Sequence, residues 1–206
     1  MNRGRLITLE GGEGAGKSTN ARYIQLWLRQ RGRDVVITRE PGGSPLAESI
    51  REIVLRDWTE HVPAVTEVLL MFAARAAHLK STIIPALDAG KDVICDRFID
   101  SSYAYQGGGK GIPMADIEQL ERMVMPDVQP ALTLVFDLDP VHGIERTLRR
   151  GEQNRFEAES IAYMQRVREV FLKRARALSA RYAIIDAGLP LDRVQTDLLK
   201  VLEERL

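Results

Sequence analysis

Gly11-Gly12-Glu13-Gly14-Ala15-Gly16-Lys17-Ser18 fills every specified position of the pattern G-x-x-x-x-G-K-[ST]. The pattern states a chemistry as well as a fold. Its glycines let the backbone curl so that successive N–H groups face phosphate oxygens. Lys17 reaches the β- and γ-phosphates, and the Ser18 hydroxyl suits Mg2+. The helix that follows brings its positive end to the same place.

The pattern requires a strand before it and a helix after it. Residues 6–9, Leu-Ile-Thr-Leu, are β-prone and apolar enough for a buried strand. Beyond the loop, Ala21, Ile24, Leu26, Trp27 and Leu28 recur at helical spacing, and Gly32 is a stop signal. Both conditions are met.

Working outward, the runs 6–9, 35–38, 93–95, 132–136 and 182–185 read as strands. Amphipathic stretches near 18–31, 45–56, 64–89, 113–125, 140–150, 158–180 and 190–205 separate or follow them. Strands alternating with helices predict an α/β fold with a mainly parallel sheet and right-handed crossovers. Ligands then sit beyond the carboxyl ends of the strands, which makes the residues just after each run the ones to read.

After the second run comes Arg39-Glu40-Pro41-Gly42-Gly43, a turn carrying a charged pair. After the third come Asp96-Arg97-Phe98 and then Ser101-Ser102-Tyr103-Ala104-Tyr105-Gln106-Gly107-Gly108-Gly109. Asp96 suits Mg2+ or one of its waters, and Arg97 suits a phosphoryl group. The polar and aromatic run beyond can read a base by hydrogen bonds and stacking. The three glycines have the wrong spacing for a second phosphate loop and predict a flexible connection. After the fourth run, Asp137 and Asp139 could approach a metal, but a strand-end turn with Asp139 capping a helix before Pro140 is the better reading. Residues 146–155 hold four arginines around Gly151 and Gln153-Asn154. Such a segment suits a lid that closes over transferring phosphates, and a solvated helix end competes with that reading.

The chain has 206 residues, 45% hydrophobic and 28% charged, enough for one large domain with a real core. Its net charge is zero, so neither a nucleic acid polymer nor a membrane surface is an expected partner. Of 29 basic residues, 23 are arginine and 6 lysine. Arginine favours bidentate phosphate recognition, although composition bias explains the total equally well. Cys95 is the sole cysteine, excludes an intrachain disulfide, and reads as a core thiol. His61, His78 and His142 show no metal-ligand spacing and read as structural or solvated. No signal segment and no stretch long enough to span a bilayer is apparent, which points to the cytoplasm. Neither Asn-Lys-x-Asp nor Leu-Ser-Gly-Gly-Gln occurs, so a GTPase switch or a transporter ATPase is disfavoured.

The blocks Glu-Gly-x-x-Gly-Ala-Gly-Lys, Arg-Glu-Pro-Gly-Gly and Asp-Arg-Phe-x-x-Ser-Ser-x-Ala-Tyr-Gln-Gly, in this order, resemble those of bacterial thymidylate kinases. The resemblance runs from Ile7 to Asp186. It implies a single domain, 1–206, with a three-layer P-loop kinase fold. A five-stranded parallel sheet would be flanked by helices, with a short lid at about 146–157. The implied reaction moves the γ-phosphoryl group of ATP to dTMP, giving dTDP and ADP, with Mg2+. ATP would lie on Gly11, Gly12, Glu13, Gly14, Ala15, Gly16, Lys17, Ser18 and Thr19, with metal at Ser18 and Asp96.

For dTMP the resemblance implies Glu13 near the sugar and phosphate, Arg97 as phosphate clamp with Arg39 in support, and Arg51 in the same pocket. Phe72 would stack on thymine and Arg75, one turn on, would reach a thymine carbonyl. For Phe72 ordinary core packing competes, and for Arg75 a surface ion pair does. Ser102 would meet the pyrimidine edge, Tyr105 the sugar, and Gln106 the pocket wall. Glu13 and Ala15 in the loop mark the type whose lid donates the catalytic cation, Arg150 first and Arg149 close behind. Glu157, after Phe156, would approach Mg2+ or nucleotide. The turn after Asp186 is a candidate for adenine. A homodimer through the helices near 64–89 and 113–125 is also implied. Another monophosphate kinase or a deoxynucleoside kinase is the nearest alternative.

Overall fold

The computed structural model of the chain describes residues 3–149, 151 and 159–206. The order begins β1 (Leu6–Glu10), α1 (Lys17–Gln30), β2 (Val35–Arg39), α2 (Pro45–Leu55) and α3 (Ala64–His78). A π-helical turn, Leu79–Ile83, carries α3 into α4 (Ile84–Asp88). Next come β3 (Asp92–Asp96) and the single turn α5 (Ile99–Ser101), which runs into a π-helical segment, Ser102–Gly109. The chain continues through α6 (Met114–Val124), β4 (Leu132–Asp137), α7 (Pro140–Leu148), α8 (Ile161–Ala177), β5 (Tyr182–Asp186) and α9 (Leu191–Arg205).

The strands form one five-stranded sheet in the order β2-β3-β1-β4-β5, and every pairing is parallel. The period-2 alternation of the strands sorts their side chains between two helical layers. Ile7, Leu9, Ile94, Leu134 and Phe136 face α1 and α9, where they pack with Ile24, Leu28, Leu198 and Leu202. On the opposite face, Leu6, Val93 and Cys95 meet Phe72, Ile83 and Phe98, while Val135 and Tyr182 meet Val167 and Phe171 of α8. Thr8 and Thr133, paired in register inside the second face, satisfy each other through their hydroxyls at 2.8 Å.

Each strand runs one residue past its apolar run and ends on a charge: Glu10, Arg39, Asp96, Asp137 and Asp186. Register sets Asp96 beside both Leu9 and Arg39, and Asp137 beside Asp186. The carboxyl edge of the sheet is thus a charged rim around the phosphate loop. At the other edge Asp92, fully buried, accepts from both the Arg5 and Arg33 guanidinium groups. Burial alone would raise the Asp92 pKa, but the Arg33 and Arg5 hydrogen bonds hold it well below the usual carboxylate range.

Two expectations need correction. The glycines 107–109 are no flexible connection but the end of the π-helical segment pressed against α8 and α6. A Cβ on Gly108 would lie 2.5 Å from Val170 Cγ2, and one on Gly109 2.4 Å from the Tyr163 ring. The glycines are there because two helices approach too closely for a side chain. Arg166 donates to the Gly108 and Gly109 carbonyls at 3.2 and 3.0 Å, satisfying that helix end.

The second correction concerns Ala64–Asp88, a continuous 25-residue helical stretch that by length and composition alone is apolar enough to cross a membrane. Its apolar character has another cause here. Val68, Phe72, Leu79, Ile83 and Leu87 belong to the core under the sheet, and Glu67, Arg75 and His78 are buried in hydrogen bonds.

Candidate active site

The phosphate loop bridges β1 and α1. Gly16 caps α1 with a left-handed backbone, φ 77°, which a glycine adopts without strain. Gly14 also has positive φ, and a Cβ on it would lie 2.5 Å from the Gly143 carbonyl oxygen of α7. The contact is reciprocal, since a Cβ on Gly143 would lie 2.5 Å from the Glu13 carbonyl oxygen.

Lys17 is buried and donates to the Gly11 and Gly12 carbonyls at 3.1 and 2.7 Å. Burial, and then the Arg97 charge, push its pKa down to about 8, against the pull of Asp96, Glu13 and Glu10. The Ser18 hydroxyl donates to Asp96 Oδ2 at 2.8 Å, which places an oxygen from α1 beside one from β3 at the open mouth of the loop.

Arg97 joins this loop to the acceptor side. Its backbone is left-handed at φ 68°, unusual for a residue with a Cβ, and its N–H donates to the Leu9 carbonyl at 2.8 Å. Its guanidinium donates to the Gly11 carbonyl at 2.8 Å and to Glu13 Oε1 at 2.7 Å, and lies over the Tyr105 ring. Tyr105 Oη donates to the same Glu13 oxygen at 3.3 Å. Burial works against the Arg97 charge, but Glu13 above all, then Tyr105, Asp96 and Glu10, raise its pKa. Burial likewise would raise the Glu13 pKa, and Arg97 and Lys17 bring it down instead.

Glu10 is a residue that the sequence reading missed. It is fully buried and accepts from Phe98 N at 2.8 Å and Ser101 Oγ at 2.7 Å, pinning the segment that carries Arg97. Burial, reinforced by the nearby Asp100 charge, pushes its pKa up to about 7. The available signal was an acid at the last position of an apolar central strand, directly before the loop.

Beside Arg97 opens a cavity lined by Glu13, Arg51, Arg97, Ser102, Tyr105 and Gln106. Arg75 lines it as well. Seven of the nine residues expected to hold the acceptor therefore surround one space. Arg51 donates to the Pro41 carbonyl at 2.8 Å. Burial, then the Arg39 charge, lower its pKa, against the pull of Glu48 and Asp96. Gln106 Nε2 donates to Glu67 Oε1 at 3.0 Å, which holds the amide in the wall.

Two expected residues do not line the cavity. Arg39 points along the surface to Glu48 at 2.9 Å. Phe72 is buried in the core, and its ring backs the Arg75 guanidinium at 4.9 Å. The position facing the cavity is Met71, four residues before Arg75 and half-buried. Spacings of three and four both share a helical face, so spacing could not separate the two.

His78 is a buried structural residue, as its sequence suggested, and the fold brings Glu40, His78 and Cys95 within reach of one another despite their distant numbers. Asp139 caps α7 by accepting from Val141 N at 3.0 Å, and Asp137 accepts twice from Arg168, at 2.6 and 3.0 Å. Asp139 thus serves the strand-end turn, while Asp137 ties the end of β4 to α8. Arg146 donates to the Ala187 carbonyl at 3.0 Å, reaching from α7 to the turn after β5. Arg149 ends α7 and is exposed. Arg150, Arg155, Phe156 and Glu157 lie outside the described residues.

A family model described as thymidylate kinase matches residues 9–198. A curated thymidylate kinase of Pseudomonas fluorescens is 52% identical over 203 residues, 98% of this chain and 97% of that protein. One of Pseudomonas putida is 53% identical over 189 residues, covering 92% of this chain and 91% of that one. Among solved structures, the thymidylate kinase of Ehrlichia chaffeensis superposes with a TM-score of 0.78 at 33% identity, covering 97% of this chain and 99% of its own.

Proposed function

The chain belongs to the thymidylate kinase family, and from that premise we propose how its residues move the γ-phosphoryl group of ATP onto dTMP, a step toward dTTP. The observation that carries the reading is Arg97. One guanidinium touches the phosphate loop at Gly11 and Glu13 and also lines the cavity beside it, so two phosphorylated molecules can meet across it.

The donor triphosphate lies on residues 11–19, with Lys17 turning from its loop carbonyls to the β- and γ-oxygens. The acceptor monophosphate lies against Arg97, with Arg51 and the charge of Arg39 behind it, and the pyrimidine lies toward Arg75, Ser102 and Met71. Glu13 and Tyr105 border the sugar, and Gln106 closes the wall. Ser18 Oγ and the Asp96 carboxylate, adjacent oxygen donors at an exposed mouth, fit a hard cation, Asp96 directly or through water. Ser18 and Asp96 would hold Mg2+ there, and it would supply neutralisation of phosphate charge. The acceptor oxygen is already ionised, so positioning and charge neutralisation suffice without a strong general base. Arg150, with Arg149 close behind it, is the residue we assign to supply the further cation from a lid at about 146–157. The chain acts as one domain.

We place the enzyme in the cytoplasm as a homodimer, with small nucleotides rather than polymers or membranes as partners. Val65 and Leu69 of α3, and Met114 and Met123 of α6, are exposed apolar residues that support such an interface. Light scattering at two concentrations tests the dimer. The function itself is tested by a coupled assay with ATP, Mg2+ and a panel of mononucleotides, thymidine included. Formation of dTDP from dTMP is expected. Phosphorylation of thymidine but not dTMP would instead make the protein a nucleoside kinase.

A further inference from the structure

A buried series of polar contacts starts on β2 and ends in the cavity. Thr38 Oγ1 and His78 Nε2 are 2.7 Å apart, and His78 Nδ1 and Glu40 Oε1 are 3.1 Å apart. Arg75 Nε donates to the other Glu40 oxygen at 2.7 Å. Arg75 then donates to Ser102 Oγ at 3.0 Å and to the Phe98 carbonyl at 2.9 Å. His78 is fully buried and lies behind Glu40 and Arg75, which line the cavity. The turn after β2 is pressed onto the pair, since a Cβ on Gly43 would lie 2.3 Å from His78 Nε2 and 2.4 Å from Thr38 Oγ1.

The chemistry of these contacts is that of orientation. An arginine has five N–H donors in one plane. Three are committed to Glu40, Ser102 and Phe98, which fixes the plane and leaves two for a ligand in the cavity. The plane therefore depends on the Glu40 carboxylate. That carboxylate accepts from Arg75 on one oxygen only, and His78 is what holds the other.

The same residues raise the question of a metal, because ligand atoms of Glu40, His78 and Cys95 all lie within 4.8 Å of one another. A cation there would sit against the Arg75 guanidinium that Glu40 already neutralises. The Cys95 thiol donates to the Arg97 carbonyl at 3.0 Å, and burial, then the Glu40 charge, raise its pKa far above the usual value, whereas metal binding needs the thiolate. Hydrogen bonding accounts for all three groups.

We infer that His78, acting through Glu40, is a positioning residue that sets the Arg75 plane for recognition of the acceptor's pyrimidine carbonyl. The inference rests on the reading of this cavity as the dTMP site. Without His78, Glu40 Oε1 loses a partner in a water-poor place, the carboxylate turns to find another, and Arg75 turns with it.

Steady-state kinetics of three full-length variants test this. His78→Leu raises the KM for dTMP about tenfold and leaves kcat and the KM for ATP within about twofold. His78→Asn, whose amide reaches the place of Nδ1, stays within about threefold of the parent KM. Thr38→Val removes only the far contact at nearly constant volume and raises the KM for dTMP about threefold, and it carries the test if His78→Leu does not fold. An unchanged KM for dTMP in the folded variants, a loss in kcat instead, or no recovery with asparagine would overturn the inference. Failure of the acceptor reading looks different: the parent enzyme would form no dTDP at all.

Discussion

Arg97 Nη2 donates to Glu13 Oε1 across 2.7 Å, tying the residue after β3 to the middle of the phosphate loop. The carboxylate holds the guanidinium at the mouth of the acceptor cavity. Replacement by alanine removes the clamp and takes away the larger of the two cationic charges acting on Glu13, leaving Lys17. Arg97→Ala should lower kcat/KM for dTMP by about 10²–10³-fold, the usual loss for a preorganised cation or donor at developing charge. Circular dichroism and thermal unfolding check that the variant is folded. Near-parental turnover by a folded variant would remove Arg97 from the mechanism.

Met71 and Phe72 make a second pair of opposite expectations. Phe72→Ala opens a cavity in the core and should cost about 3–5 kcal/mol of stability. Met71→Ala trims a half-buried wall and should cost under about 1.5 kcal/mol, while the KM for dTMP rises about fivefold. Denaturant titration and steady-state kinetics on both variants decide the matter. If Phe72→Ala were stable and defective in dTMP binding, Phe72 rather than Met71 would face the base.

The Lys17 amine supplies a pH dependence with a definite sign. Its pKa in the free protein is pushed down to about 8, so part of the population is neutral above that pH. Phosphate charge favours the ammonium form, so donor binding takes up a proton and raises the pKa. Affinity for ATP should fall as pH rises from about 7 to about 9 and stay level below that range. Calorimetric titrations in buffers of different ionisation enthalpy would register the proton uptake, and Lys17→Met should abolish it. A flat affinity across the range would contradict the buried-lysine account.

Gly108 distinguishes a packed helix from a loose connection. An added Cβ would meet Val170 Cγ2 at 2.5 Å and the Arg166 carbonyl oxygen at 3.1 Å, neither of which is the end of a flexible side chain. Gly108→Ala should therefore destabilise the protein by about 1–3 kcal/mol, as overpacking does. In a loop the same change would be neutral or slightly stabilising, and that outcome in thermal unfolding would contradict the packed arrangement.

The sheet and the phosphate loop were legible because their signals are local. Apolar runs of three to five residues, each closed by a charge, mark a parallel strand without reference to the rest of the chain, and residues 11–18 specify their own turn. Other features depended on distant partners. The glycines 107–109 signal looseness until α8 is placed across them. His78 signals nothing until β2 and β3 bring Glu40 and Cys95 to it. Choosing Met71 over Phe72 required the rotation of α3, which the packing of Phe72 behind Arg75 sets. Arg39 lay in the expected stretch, but its side chain found Glu48 on α2, a contact that strand-end logic does not foresee.

The reciprocal approach of Gly14 and Gly143 has a hereditary consequence. A methyl group on either meets the other strand of backbone at 2.5 Å, so no second substitution can make room for the first. Two codons far apart in the gene are thereby bound to a single letter each. A drift experiment under selection for activity should find both frozen while exposed α7 neighbours such as His142 wander.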